Sequence, residues 1–479
     1  GAGAAITVGI QNTLVGGLSG DALTGGNQNT VLGYRALTTD TLGDKTVAVG
    51  DQALENQNFT TSTDTYNVGV GASAGNQVTT GIRNVLMGGL TGDALTEGTR
   101  NIALGYNALG SDTLGSYSVA IGNGALATQN FTTATDTYNV AVGATAGNSL
   151  TTGTFSGAAN TTGSNNAAVG YNSMAANTTA SSGVAVGSLA LDANTTGSAN
   201  TAVGYAAASA NTTGDTNTAI GSNALAANTD GDNNTAVGHD ALKTLDGGAS
   251  NTAVGVNAGD AMTTGVGNTI MGVNAGGSLT TGNENVAIGR GALQLEDEGD
   301  ELTAVGEGAL GVNNGGLRNT AVGFEAMDDN TTGDNNVAVG HYALPKNTTA
   351  DNNTSIGRNS LYVNTTGASN TAVGASALAA NTTVNSNTAV GYNALNANTT
   401  GTSNTSVGAG CLDLNTIGDY NTAVGSAALD ANVAGNKNTA VGYSSLGKTT
   451  QASDTDNSNT AVGYKAGAEI TSGIGNVFI

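Results

Sequence analysis

Short runs of alternating β-branched and small residues recur along the whole chain, each closed by a glycine. Asn387-Thr-Ala-Val-Gly391 and Asn404-Thr-Ser-Val-Gly408 are typical. Positions are numbered here from that marker glycine, so −1 precedes it and +4 lies four residues after it. The markers run from Gly16 to Gly463, 26 in all; of the 25 spacings, 21 are 17 residues, three are 21 and one, Gly143 to Gly170, is 27. Sixteen consecutive 17-residue steps join Gly170 to Gly442. A fixed period of this size is the signature of a solenoid, in which each repeat buries its apolar side only against its neighbours.

Within the unit, −1 is aliphatic or Met throughout, as in Val15, Leu32, Ile121, Met271 and Val462, and −4 is Asn in 22 of 26 units. Position −3 is usually Thr or Val and −2 usually Ala, a period-two pattern that predicts a strand. Leu or Met stands at +4 in 18 units, for example Leu37, Leu225 and Leu395, before a polar turn such as Asn194-Thr-Thr-Gly197. The reading is two short strands and two turns per coil, with −1 and +4 as the core. The repeated Asn at −4 is expected to form a ladder of side-chain amides at a turn. Helices are excluded, because no 3.6-residue apolar period persists and glycine recurs within every turn.

One exchange supports a shared interior. In seven units +4 is Gly (Gly20, Gly75, Gly92, Gly147, Gly259, Gly276, Gly467), and in each of them +7 becomes apolar: Leu23, Val78, Leu95, Leu150, Met262, Leu279 and Ile470. Volume lost at one site returns three residues later, as close packing requires. Coils stacked about 4.8 Å apart would make a rod on the order of 125 Å long.

The organisation predicted is a single solenoid over 1–479, with 1–15 a partial first coil. Coils 16–169 carry a 72-residue duplication and longer loops: QNFTTSTDTYNV at 57–68 returns as QNFTTATDTYNV at 129–140. Residues 170–458 are regular coils plus one extended loop, and 459–479 a last, truncated coil. The four-residue insertions are expected to bulge outward, with others near Gln451–Asn457 and, largest, Thr154–Ser164. The start at Gly1 and the stop at Ile479 in mid-pattern read as a piece of a longer chain.

Composition narrows the function. With 75 Gly, one Pro, no Trp and 4% aromatic residues, an ordinary core and a collagen helix are both excluded. A net charge of −23 disfavours nucleic acid and anionic lipid as partners, and no apolar run is long enough for a membrane-spanning helix.

The units Ser118-Val-Ala-Ile-Gly122, Asn285-Val-Ala-Ile-Gly289 and Asn336-Val-Ala-Val-Gly340 resemble the head repeat of trimeric autotransporter adhesins, with a small residue at +3 such as Ala36, Ala108, Ser173, Ser360 or Ala394. The longer 17-residue form, with Tyr-Asn-Ala-Leu and Asn-Thr-Thr-Gly, is similar to repeats in tail fibres of marine bacteriophages, cyanophages especially. The resemblance implies an all-β, left-handed parallel β-roll of about 26 coils in a side-by-side homotrimer. The −2 Ala and marker Gly would then be buried between chains, and a single-chain triangular β-helix is the structural alternative. The function implied is a non-enzymatic rod of an extracellular adhesive fibre, a phage tail fibre engaged in host attachment. The alternatives are the head of a bacterial trimeric adhesin, or a self-assembling filament. A host glycan or protein would be met through loops or a separate tip.

No residue is expected to be catalytic, to bind a cofactor or to ligate a metal. His239 and His341 occupy +1, a slot shared with Tyr34, Tyr106, Tyr171, Tyr205, Tyr392, Tyr443 and Tyr464 and with Arg290, Arg358, Asp51 and Glu307. Such tolerance marks a surface position, and no nucleophile is tied to a base. Cys411 falls in the small-residue slot at +3 and reads as a buried hydrophobe. Glu296, Asp297, Glu298, Asp300 and Glu301 read as a solvated turn whose spacing fits no calcium loop. The Asn-Thr-Thr triplets match N-glycosylation acceptors but are explained by turn chemistry. A Thr column at −3 also suits an ice-binding face, although Val, Ile or Ala interrupts it.

Overall fold

Each coil contributes one three-residue strand at −3 to −1, such as Thr388–Val390. It pairs in parallel with the same positions one repeat on, Thr388↔Thr405, Ala389↔Ser406 and Val390↔Val407. The computed structural model describes residues 1–147, 164–450 and 453–479. These form two compact units, Gly1–Ala249 and Ser250–Ile479. Each unit is an all-β parallel solenoid, and no helix occurs among the described residues. Thirteen marker glycines fall in each, Gly16 to Gly238 and Gly255 to Gly463.

The expected second strand is present in only three places among the described residues. Gly43–Asp44 pairs with Thr63–Asp64, Gly115–Ser116 with Thr135–Asp136, and Gly435–Asn436 with Thr455–Asp456. Each pair leads into a 21-residue step. Elsewhere the coil closes through turns, with +2 and +4 held at positive φ: Asn393 at 53° and Leu395 at 51°. A left-handed Leu costs on the order of 1–2 kcal/mol. The cost is offset because Leu395 is fully buried and its N–H donates to the Cys411 carbonyl of the next coil at 2.9 Å. The insertions do bulge outward at Thr60–Ser62, while Phe59 turns inward and is 7% exposed. Leu150 and most of the Thr154–Ser164 insertion lie outside the described residues, as does Gln451 at the start of the Gln451–Asn457 insertion.

The assignment of −1 to the core is corrected. The central residue of each strand points inward: Ala389, Ala202 and Ala321 are fully buried. Its neighbours face out, with Val15 54%, Leu32 49%, Met271 40% and Val462 43% exposed. Since −3 and −1 share one side of a pleated strand, one of the two sides must be outer. The narrow interior admits Ala at −2 because Leu at +4 fills the rest. In three of the seven units where +4 is Gly, −2 grows, to Leu14, Leu86 and Ile270. A Cβ on Gly92 or Gly276 would lie 2.9 Å from Leu86 or 3.2 Å from Ile270. The +7 partners Leu23, Val78, Leu95, Met262 and Leu279 are fully buried, so the volume exchange is real; Ile470, in the last coil, is half-buried. The −2 Ala is therefore spent inside the roll rather than between chains.

The marker glycine has its own necessity. Gly391 adopts φ +140°, and a Cβ there would sit 2.5 Å from the carbonyl oxygen of Gly408 above it. Both the dihedral and the close stacking of successive coils exclude a side chain.

Two asparagine columns stitch the interior. At −4 the amide bonds chiefly to the neighbouring coil's backbone, and the expected amide-to-amide ladder is present in part, running from Asn476 through Asn459, Asn438 and Asn421 to Asn404. Asn387 Nδ2 donates to the Gly401 carbonyl at 2.9 Å, and Asn387 Oδ1 accepts the N–H of Asn404 at 2.9 Å. A second, longer amide ladder is at +7, in the triplets expected to be polar turns. Asn211 donates to Asn194 at 2.8 Å and Asn228 to Asn211 at 3.1 Å. In the second unit Asn330 donates to Asn313 at 2.6 Å, and the run continues to Asn432. Each +7 amide also donates to the carbonyl three residues on, as Asn228 does to Gly231 at 2.9 Å. That carbonyl accepts Asn217 of the −4 column as well, at 2.7 Å. Both lone pairs of one turn oxygen thus serve the two columns, leaving few buried polar groups unmet.

Candidate functional surfaces

Position +1 follows the strand's exit and points to solvent. Tyr34, Tyr106, Tyr171, Tyr205, Tyr392, Tyr443 and Tyr464 are 49–73% exposed. His239 is exposed beside Asp240, with Nδ1 3.6 Å from Oδ1. His341 stacks on Phe324 with centroids 5.2 Å apart and meets the edge of Tyr342 at 4.3 Å. The two histidines occupy separate units. Among the described residues no group of three or more His, Cys, Asp or Glu is placed to hold a metal ion.

Cys411 is buried and free. Its Sγ lies 3.2 Å from the Ala423 carbonyl, and burial pushes the thiol's pKa up, away from the reactive thiolate. The acceptor-like triplets are closed to glycans at their asparagines, since Asn194, Asn211, Asn330 and Asn381 are at most 1% exposed.

The acidic cluster divides. Asp297, Glu298, Asp300 and Glu301 are exposed or half-exposed, but Glu296 is fully buried, which corrects the solvated-turn reading at that residue. It stands at +7 and starts the amide ladder: Oε2 accepts from Asn313, and Oε1 accepts the N–H groups of Asp297, Glu298 and Gly299. Burial outweighs these bonds and raises its pKa. Asp40 and Asp112 occupy +7 in the duplicated blocks; both are fully buried, and burial raises the pKa of each.

The insertion coils carry exposed ion pairs, Lys45 with Asp64 at 2.6 Å and Lys437 with Asp456. The Asp64 hydrogen bond raises the Lys45 pKa and lowers that of the aspartate. Pairs this exposed add little stability.

A break in the regular surface lies in the second unit. Successive coils carry glycine at +2, Gly291 and Gly308, and the next +5 position is Gly311. Three missing side chains open a depression of about 330 Å³, bounded by Asn274, Arg290, Gln294, Leu295, Glu307, Val312, Glu325 and Asp328. Neighbouring side chains lean into the space. A Cβ on Gly311 would lie 2.3 Å from Asp328 Oδ1, and one on Gly291 3.0 Å from Gln294 Oε1. Arg290 pairs with Glu307 along one wall. Asp328 has a raised pKa, from partial burial first and then from Asp329 and Glu325. Beyond Glu325 lie Phe324, His341, Tyr342 and Tyr362 in contact, with Tyr342 and Tyr362 6.1 Å apart. Sequence reading missed this site; its signal was two consecutive glycines at +2, where most coils carry a larger residue.

Set against known proteins, the chain matches no family model and no curated protein sequence.

Proposed function

We propose that the chain is the non-enzymatic structural rod of an extracellular adhesive fibre, a phage tail fibre that serves host attachment, built as a side-by-side homotrimer of left-handed β-rolls. The observation that carries this reading is the outward aliphatic column at −1. It is uncharged in all 26 units, and residues such as Val15, Ile220, Ile356 and Val441 are 36–54% exposed. Soluble monomers rarely leave a contiguous apolar patch beyond a few hundred Å² uncovered. A second copy in register suits the column, because every coil repeats the same residue at the same height and no charge must be desolvated. Three copies around an axis close the assembly without leaving an open face.

Near-identical coils supply length and stiffness rather than a series of distinct active sites. The net charge of −23 keeps separate fibres apart and resists adhesion to anionic envelopes.

The assembly is tested by light scattering: a trimer has three times the chain mass, and a stable monomer near 46.3 kDa overturns it. Val390→Asp should dissociate the assembly with the coil itself intact, whereas Leu395→Asp should unfold the coil and Tyr392→Asp should do neither. Antibody labelling locates the fibre. Label on virion tails supports the phage reading, while label confined to bacterial envelopes favours the adhesin instead.

A further inference from the structure

We propose that the depression over Gly291, Gly308 and Gly311 is a binding site for a saccharide bearing a free ammonium group, an amino sugar. Its volume, about 330 Å³, lies at the lower end of the range for small-ligand pockets. The lining carries Arg290 against Glu307, Glu325 and Asp328, a net negative charge, and Arg290 and Glu307 already neutralise each other. Glu325, which also meets the Tyr342 hydroxyl, and Asp328 remain as acidic groups of the lining. Lys346 pairs with the neighbouring Asp329 at 2.7 Å and acts on Asp328 through its field alone, so the carboxylates around the depression still outnumber the cations. An ammonium group meets this demand, and metal does not, since no suitable metal cluster exists among the described residues. The amides of Asn274 and Gln294 offer donors and acceptors for hydroxyls. Tyr342 stands beside Glu325 and joins Phe324 and His341 in a half-exposed ring cluster, and aromatic faces attract both C–H surfaces and cations. Two independent features, the glycine-made depression and the ring cluster, thus meet at Glu325. No residue of the site comes from the −1 column, so the site stands or falls apart from the trimer.

The glycines make the test clean. Gly291 and Gly308 have φ +64° and +66°, and Asn holds the same slot at φ 54° in Asn274 and 53° in Asn393. Gly291→Asn with Gly308→Asn should therefore fill the depression with the coil and the net charge preserved, which circular-dichroism melting verifies. The probe is a glucosamine disaccharide with free amines, titrated calorimetrically into the full chain at 150 mM salt. Saturable binding is expected, weakened at least about tenfold by the double variant and by Asp328→Asn, and about tenfold for the N-acetylated disaccharide. A polyanionic protein also attracts cations without a site, and that attraction ignores the double variant. Equal binding to wild type and double variant, no binding at all, or equal binding of the acetylated sugar each overturns the proposal.

Discussion

The interior column at +7 is built in two ways, and the contrast separates what the repeat needs from what it tolerates. Across Asn313–Asn432 the column is a chain of neutral amides, each inner one donating to the one before it and accepting from the one after. In the Asp40–Asn67 block the same column holds an acid and a glutamine. Gln57 Nε2 donates to Asp40 Oδ2 at 2.7 Å and to Thr46 Oγ1 at 2.9 Å, while Gln57 Oε1 accepts from Asn67 at 2.9 Å. Asp112, Gln129, Ser118 and Asn139 repeat the arrangement. The amide run leaves only its end oxygen, Asn432 Oδ1, unmet, and the acid–glutamine block places a titratable carboxyl inside. The amide can repeat indefinitely because it is donor and acceptor at once; a carboxylate accepts only, so it fits where a column begins or is interrupted. Glu296, at the start of the second unit's ladder, obeys the same rule.

The largest effect should come from forcing an acid into the middle of the amide run. Asn381 donates to Asn364 at 2.8 Å and to the Val384 carbonyl at 3.1 Å, and accepts from Asn398 at 3.3 Å. Asn381→Asp abolishes both donations and buries a charge, at a cost of several kcal/mol at neutral pH. Denaturant titration should show the loss, with partial recovery in acid. A neutral-pH stability within about 0.5 kcal/mol of wild type would show that the ladder is incidental.

The sequence carried more of this fold than of its interior. Period, parallel register and the burial of Leu395 follow from the 17-residue spacing, because stacking puts identical residues above one another. Which side of a three-residue strand faces in does not follow from alternation alone. The deciding signal was the enlargement of −2 to Leu14, Leu86 and Ile270 where +4 is Gly, since only residues sharing a cavity trade volume. The same logic marked +7 as interior: a site that exchanges Asn for Leu279 or Met262 cannot be a solvated turn. Asn-Thr-Thr does form the turn that local propensity speaks for, capped by its own Asn on the Gly197 carbonyl, but stacking carries that Asn inside. The depression over Gly291 and Gly308 becomes visible only once the coils are aligned on the marker glycine.

A smaller effect should appear in the acid–glutamine blocks as a pH dependence. Burial raises the folded-state pKa of Asp40 and Asp112 above the ordinary value near 3.8, and hydrogen bonds from Phe59 and Gln57, or Phe131 and Gln129, only partly oppose it. A raised acid binds more protons folded than unfolded. Its contribution is therefore most favourable below pH 3.8 and is lost as pH rises through the folded pKa. Asp40→Asn with Asp112→Asn should flatten that part of the stability profile, measured by thermal melting from acid to neutral pH. An unchanged slope would mean that these carboxyls are not the titrating groups.

The smallest and sharpest test concerns the direction of the ladder. In the first unit the run ends at Asn228, because +7 of the next coil is Leu245, and Asn228 Oδ1 is buried without a partner. Asn432 Oδ1 is left in the same state at the end of the second unit's run. Removing an inner rung, Asn211→Ala, strands the Asn194 oxygen and one Asn228 N–H. Removing the end rung, Asn228→Ala, strands only the Asn211 oxygen, since the Gly231 carbonyl keeps its bond from Asn217. Both substitutions delete the same atoms from the same coil position, so packing losses nearly cancel in the comparison. Asn228→Ala also deletes the orphan Oδ1 itself, so the inner variant should be the less stable by about 2–4 kcal/mol, the cost of two more unmet buried groups. Equal losses would mean that the ladder has no polarity, and a larger loss at Asn228 would mean that it runs the other way.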